Sequence, residues 1–183
     1  MNLFIDTHLN DVRIILFENN QIIKERIIEG EQQNSKLIMP IIKKVLDKRI
    51  PETIIVVNGP GSFTGVRLGV TIAKTLAYTM KIPIRTITAL ECLALSTEEP
   101  EKIVAFNDKN GYYIGIFNED YELIGNYEYL TNSEFNEFSQ KYNVLSDIKV
   151  DYEKVIGYAS SKEPTNAHEV NPVYIKKIDV EKW

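Results

Sequence analysis

Asn58-Gly59-Pro60-Gly61-Ser62-Phe63-Thr64-Gly65-Val66-Arg67-Leu68-Gly69, followed by an unbroken helical pattern to Met80, decides how this chain folds. Thr53-Ile54-Ile55-Val56-Val57 precedes it, a short β-branched run that reads as a buried strand. The order is therefore strand, glycine-rich turn, helix. Gly59, Gly61 and Gly65 allow backbone angles that other residues resist, and Pro60 fixes its own φ. Ser62 or Thr64 can cap the first helical turn. Such a turn presents amides and the positive end of a helix dipole to an anion, and it serves equally as a tight turn with no ligand. It is not a Walker loop, because no Gly-Lys-Ser/Thr follows at the required spacing.

The helix after the turn is amphipathic in an unusual way. Advancing about 100° per residue from Val66 gathers Arg67, Thr71, Lys74, Thr75, Tyr78 and Lys81 on one polar side. Gly65, Gly69, Ala73 and Ala77 form a smooth stripe, flanked by Val66, Val70 and Met80 on one edge and by Leu68, Ile72 and Leu76 on the other. The apolar arc is wider than one core face needs, so the helix is expected to be covered from two directions. Its own sheet supplies one cover; a further helix or a second protein supplies the other.

Composition excludes several function classes. The 183 residues suffice for one domain or two small lobes. A net charge of −5 argues against a free-standing nucleic-acid binder driven by phosphate contacts. One cysteine, Cys92, allows no internal disulfide and no thiol cluster for zinc, and His8 and His168 are the only histidines. No basic leader and no run near the ~20 apolar residues of a membrane span occurs, so a cytoplasmic setting without a membrane is expected.

Along the chain, Leu3-Phe4-Ile5 opens as a strand and runs into the polar turn Asp6-Thr7-His8-Leu9-Asn10-Asp11. Residues 12–17 and 21–28 read as a hairpin about Glu18-Asn19-Asn20. Asp6, at the end of strand one, is a candidate for phosphate or Mg²⁺ chemistry and equally an aspartate closing an Asx-turn. A helix is expected from Asn34 or Ser35 to Lys48, kinked at Pro40, with Lys43, Lys44, Lys48 and Arg49 near its negative dipole end. A strand at 84–87 and a short helix at 89–95 follow. The charged break at 96–102 suggests two lobes, residues 1–98 and a smaller one, 99–183. In the second, strands are expected at 103–106, 112–117 and 121–129, and Thr131-Asn132-Ser133-Glu134 resembles a capping box opening a helix to about Tyr142. The remainder reads as short strands, loops and a tail.

The order strand, strand, strand, helix, strand, helix, strand, helix is that of the first lobe of an α/β, actin-like ATPase (ribonuclease-H-like) fold with mixed sheets. The run Gly59 to Gly69 closely resembles the signature of the bacterial TsaB (YeaZ) family. Ile5-Asp6-Thr7, Leu37-Ile38-Met39-Pro40, Thr88-Ala89-Leu90 and Asn171-Pro172-Val173-Tyr174-Ile175 agree in position. The likeness is strong over residues 1–95 and patchy beyond, and the chain is some tens of residues shorter than typical members, the shortfall lying in the second lobe.

The resemblance implies a non-catalytic subunit that pairs with TsaD. That complex forms N6-threonylcarbamoyladenosine beside the anticodon of ANN-decoding tRNAs. TsaE joins through the complex, tRNA is met only indirectly, and the chain alone is expected to form a homodimer. It further implies a partner interface on the two lobe-one helices, here at Leu37, Ile41, Leu68, Ile72 and Leu76, and a vestigial phosphate site at Asp6 and Thr7. No cofactor and no metal are expected, because TsaD-type metal sites need His-x-x-x-His on the first helix and residues 32–48 contain no histidine. Two other classes stay open: an actin-fold phosphotransferase or a peptidase using Asp6 and the glycine turn, and a homodimeric structural protein. A kinase of this fold needs a full second lobe, and no Ser-His-Asp or Cys-His constellation is evident in the sequence.

Overall fold

The apolar runs of the first half pair into one mixed sheet, in a computed structural model that describes residues 1–30 and 35–175. Strands β1 (Asn2–Asp6), β2 (Val12–Glu18), β3 (Gln21–Ile28), β4 (Ile54–Val57) and β5 (Ile84–Ile87) lie in the order β3-β2-β1-β4-β5. β2 runs antiparallel to β1 and β3, while β4 and β5 run parallel to β1. Asn19 and Asn20 both take positive φ at the β2–β3 turn, as a tight hairpin with the strands' twist requires.

Alternation along the strands sends side chains to two cores. Leu3, Ile5, Ile14, Leu16, Ile54 and Val56 meet helices α1 (Ser35–Leu46) and α2 (Phe63–Met80) on one face. Phe4, Ile15, Phe17, Ile55, Val57 and Ile87 point to the other, where α3 (Ala89–Ala94) and α5 (Tyr152–Ser161) cover them. α1 runs through Pro40, giving up one internal hydrogen bond, and stops two residues short of Lys48 because Asp47 and Lys48 take positive φ. Asn34, the other expected start, lies outside the described residues.

The second sheet has the order β6-β7-β8, formed by β6 (Lys102–Asp108), β7 (Gly111–Phe117) and β8 (Glu128–Thr131), all antiparallel. One of its faces carries α4 (Asn132–Ser139), whose Phe135 stacks on Tyr112 at 3.6 Å. The opposite face packs Val104, Tyr113 and Phe117 on Leu90, Leu93 and Ala94 of α3. α3 therefore sits between the two sheets, apolar toward both.

Two expectations are corrected here. The strand expected at 121–129 is instead an irregular turn followed by the short β8. Tyr121 and Gly125 take positive φ, and the Asn118 side chain accepts from the Glu122 amide, closing a loop that strand geometry cannot hold. The expected loops after Tyr142 contain α5, capped by Asp151 and burying Val155, Ile156 and Ala159 on the first sheet. Among the described residues, no helix is long and apolar enough to cross a membrane.

Candidate functional site

The glycine-rich turn is a junction of four segments. Asn58 N–H donates to Ile87 O (3.0 Å), and Gly59 O accepts from Ala89 N–H (2.9 Å), so the turn holds the start of α3. Ser62 N–H donates to His8 O (2.8 Å), which fastens it to the β1–β2 turn. Val173 N–H donates to Asn58 O (2.8 Å) and Asn58 Nδ2 to Asn171 O (3.1 Å), which fastens it to the C-terminal motif. The two most recognisable stretches of the sequence, 113 residues apart, are thus in contact.

Each glycine of the turn answers a local need. Gly59 has φ +103°, a region that L side chains avoid, and the Gly59–Pro60 peptide is cis. At Gly61 a Cβ would lie 2.3 Å from His8 O, inside any permitted contact. Gly65 is helical, contrary to the expectation of special angles; it is buried, and its carbonyl accepts the Thr7 hydroxyl at 2.7 Å. At Gly69 a Cβ would lie 2.2 Å from Thr7 Oγ1. Ser62, not Thr64, is the cap, its side chain accepting from Gly65 N–H at 3.3 Å. The smooth stripe Gly65-Gly69-Ala73-Ala77 faces the chain's own sheet, and all four residues are buried.

Asp6 and Thr7 are occupied within the chain. Asp6 Oδ1 accepts from His8 N–H (3.1 Å) and meets His8 Nδ1 at 2.5 Å, while Oδ2 accepts the Tyr152 hydroxyl at 3.0 Å. The first of these contacts is the Asx-turn. Burial pushes the Asp6 carboxyl up, but His8 and Tyr152 outweigh it and hold it below its ordinary value. Burial and the Asp6 charge together push the Tyr152 phenol far up, keeping it a donor. Sequence reasoning missed both partners: His8 stands two residues away, but Tyr152 arrives from a helix that reads as loop.

A cleft of about 1440 Å³ opens between the sheets beside this junction, lined among others by His8, Phe63, Phe106, Lys109 and Tyr174. Phe63, 48 % exposed, stacks its ring 3.7 Å from the Arg67 guanidinium, whose Nε donates to Tyr174 Oη at 2.6 Å. Among the described residues no cluster of three His, Cys, Asp or Glu could hold a metal ion. The described part of α1 carries no imidazole, so its donors do not fit a His-x-x-x-His site.

The expected interface residues fall into two groups. Ile72 and Leu76, each 9 % exposed, belong to the chain's own core beside α1. Leu37 is 40 % exposed, and Ile41 and Leu68 are half-buried on the same helical layer. α1 covers the β2–β3 side of the sheet and α2 the β1–β4–β5 side, so the two helices share one outer surface.

Comparison with known proteins places this geometry in context. A family profile described as "TsaD: tRNA N6-adenosine threonylcarbamoyltransferase" matches residues 21–153. The chain is similar to the tRNA threonylcarbamoyladenosine biosynthesis protein TsaB of Bacillus subtilis, 35 % identical over 63 % of this chain and 54 % of that protein. It is also similar to TsaB of Buchnera aphidicola subsp. Schizaphis graminum, 31 % identical over 79 % of this chain and 70 % of that protein. The matched region thus spans between about half and seven tenths of these relatives' lengths. The solved structure of YeaZ from Pseudomonas aeruginosa superposes with a TM-score of 0.75 at 18 % identity, covering 95 % of this chain and 99 % of the other. The likeness shows the fold: actin-like, of the ribonuclease-H type, as the strand order anticipates.

Proposed function

We propose, from the premise that this chain belongs to the TsaB (YeaZ) branch of the threonylcarbamoyltransferase family, that it is a non-catalytic subunit pairing with TsaD. In that complex it supports formation of N6-threonylcarbamoyladenosine on tRNA in the cytoplasm. TsaE joins through the complex, and tRNA is met only indirectly. The observation that carries this reading is the outer surface of α1 and α2. Leu37, Ile41 and Leu68 remain partly exposed there, above a core that already includes Ile72 and Leu76. An apolar strip shared by two neighbouring helices suits a partner that brings helices of its own. Without TsaD, the same strip pairs two copies of the chain.

The non-catalytic part of the reading is supported by what Asp6 and Thr7 do. A carboxylate tied to an imidazole and a phenol, and a hydroxyl tied to a helix carbonyl, are spoken for before any phosphate arrives. Catalysis is left to TsaD. The reading is tested by reconstituting the transfer reaction and detecting modified adenosine by mass spectrometry. The isolated chain should give none, and adding it to TsaD and TsaE should raise the yield. Turnover by the isolated chain that Asp6→Ala abolishes would overturn it.

A further inference from the structure

Charge is distributed very unevenly along this chain. Residues 35–90, which build α1, α2, β4 and β5, contain nine Lys and Arg against two Asp and Glu; the other residues contain 12 against 24. A chain with an overall charge of −5 thus carries +7 between residues 35 and 90 and −12 elsewhere. α2 itself holds no acidic residue.

The placement of these cations is as informative as their number. Lys43, Lys44 and Lys48 lie on or just past α1, and Arg67, Lys74 and Lys81 along α2 and its cap. None of the six forms an ion pair among the described residues, and all but the half-buried Lys74 are exposed. Lys44 and Lys48 continue the line of Leu37 and Ile41 at helical spacing. Arg67 and Lys74 lie on the far flank of α2, where they contact Tyr174 and His168. The partly exposed apolar residues therefore have cations on both sides. An apolar centre inside a polar rim is the anatomy of a protein–protein interface, and here the rim is predominantly cationic, with Asp47 the acid set between Lys44 and Lys48.

We infer that the surface docking on α1 and α2 is a protein face with an apolar centre and an acidic rim, so that the partner is selected and steered by charge. The inference rests on the reading that TsaD binds this layer, and adds the chemistry its face must present. Rim charges act on the association rate and its salt dependence more than on the contact once formed. RNA is the less favoured occupant because the apolar strip between the two rows of cations has no use on a phosphate backbone.

The test titrates the full-length chain into the cognate TsaD, reading association rate and affinity from about 0.05 to about 0.5 M salt. Wild type should weaken by about tenfold or more across this range, chiefly through slower association. Lys44→Glu combined with Lys48→Glu should bind at least about tenfold more weakly at low salt and lose most of the salt dependence. The Gln pair at the same positions should fall between, and circular dichroism should show all three folded. Salt-independent binding that the Glu pair leaves intact would overturn the inference while leaving the TsaD reading in place. No binding to TsaD at low salt would overturn both. Bare tRNA bound by the isolated chain, lost in the Glu pair while TsaD binding is not, would assign the rim to RNA and overturn the inference.

Discussion

Thr7 and Gly69 form the contact by which α2 lies flat on β1, and a double-mutant cycle tests it. Thr7 is fully buried, and its hydroxyl donates to Gly65 O at 2.7 Å. A methyl group at position 69 would stand 2.2 Å from that hydroxyl oxygen and 3.3 Å from Thr7 Cβ. In Gly69→Ala, therefore, either Thr7 rotates and strands a buried hydroxyl, or α2 lifts from the sheet. The first route costs about 1–3 kcal/mol and the second a similar amount from overpacking. Replacing a helical glycine by alanine returns only about 1 kcal/mol. The net expectation for Gly69→Ala is a loss of about 1 kcal/mol. Thr7→Ala removes the oxygen, leaving the Cβ at a distance that a shift of a few tenths of an ångström relieves. In that background Gly69→Ala should be neutral or stabilising by up to about 1 kcal/mol. Urea unfolding followed by circular dichroism measures all four corners of the cycle, and the coupling should be about 1–2 kcal/mol. Additivity within about 0.5 kcal/mol would refute the claim that this glycine exists for the Thr7 contact.

Three further outcomes are expected. Because Asp6 is held below its ordinary value of 3.8, its stabilising contribution is fully present above about pH 4 and is lost as pH falls through the lowered value. Asp6→Asn should flatten this acid limb in urea midpoints measured against pH, and parallel limbs would contradict the assignment. Gly61→Ala places a Cβ 2.3 Å from the carbonyl that Ser62 N–H uses, and should cost at least about 2 kcal/mol in thermal unfolding; an unchanged midpoint would count against a structural role for the turn. Ile72→Glu buries a charge in the chain's own core and should cost several kcal/mol, whereas Leu37→Glu on the outer surface should stay within about 0.5 kcal/mol; equal melting of the two would misplace the boundary between core and face.

The first half of the fold was legible because its signals are local. Short, continuously apolar and buried strands, a hairpin with two asparagines and an 18-residue helix behind a capped glycine turn all announce themselves within a few residues. The second half was legible only where a local device existed, as at the Thr131–Glu134 capping box. At residues 121–129 the aromatic content suits a strand, but Tyr121 and Gly125 turn the backbone the other way. α5 carries an Asp cap and apolar spacing, yet Gly157 and a serine-rich end mute the helical signal. The candidate site divides similarly. Gly59 and Ser62 act as their residue types suggest, but the fate of Asp6 depends on Tyr152, 146 residues away. Periodicity put Ile72 and Leu76 on one ridge; only the placement of α1 over the neighbouring strands shows that this ridge is largely covered from within.

Titration calorimetry of the full-length chain into TsaD, with wild type beside Leu37→Glu and Leu68→Glu, tests the central claim most directly. Wild type should bind one to one, and each glutamate, hydrated at position 37 and partly hydrated at position 68 in the free chain but desolvated among apolar groups in the complex, should weaken binding by about a hundredfold or more, that is by about 3 kcal/mol. Both variants should still unfold cooperatively. Wild-type affinity in both variants, or no heat of binding for the wild type, would contradict the assignment of the α1–α2 surface as the partner face.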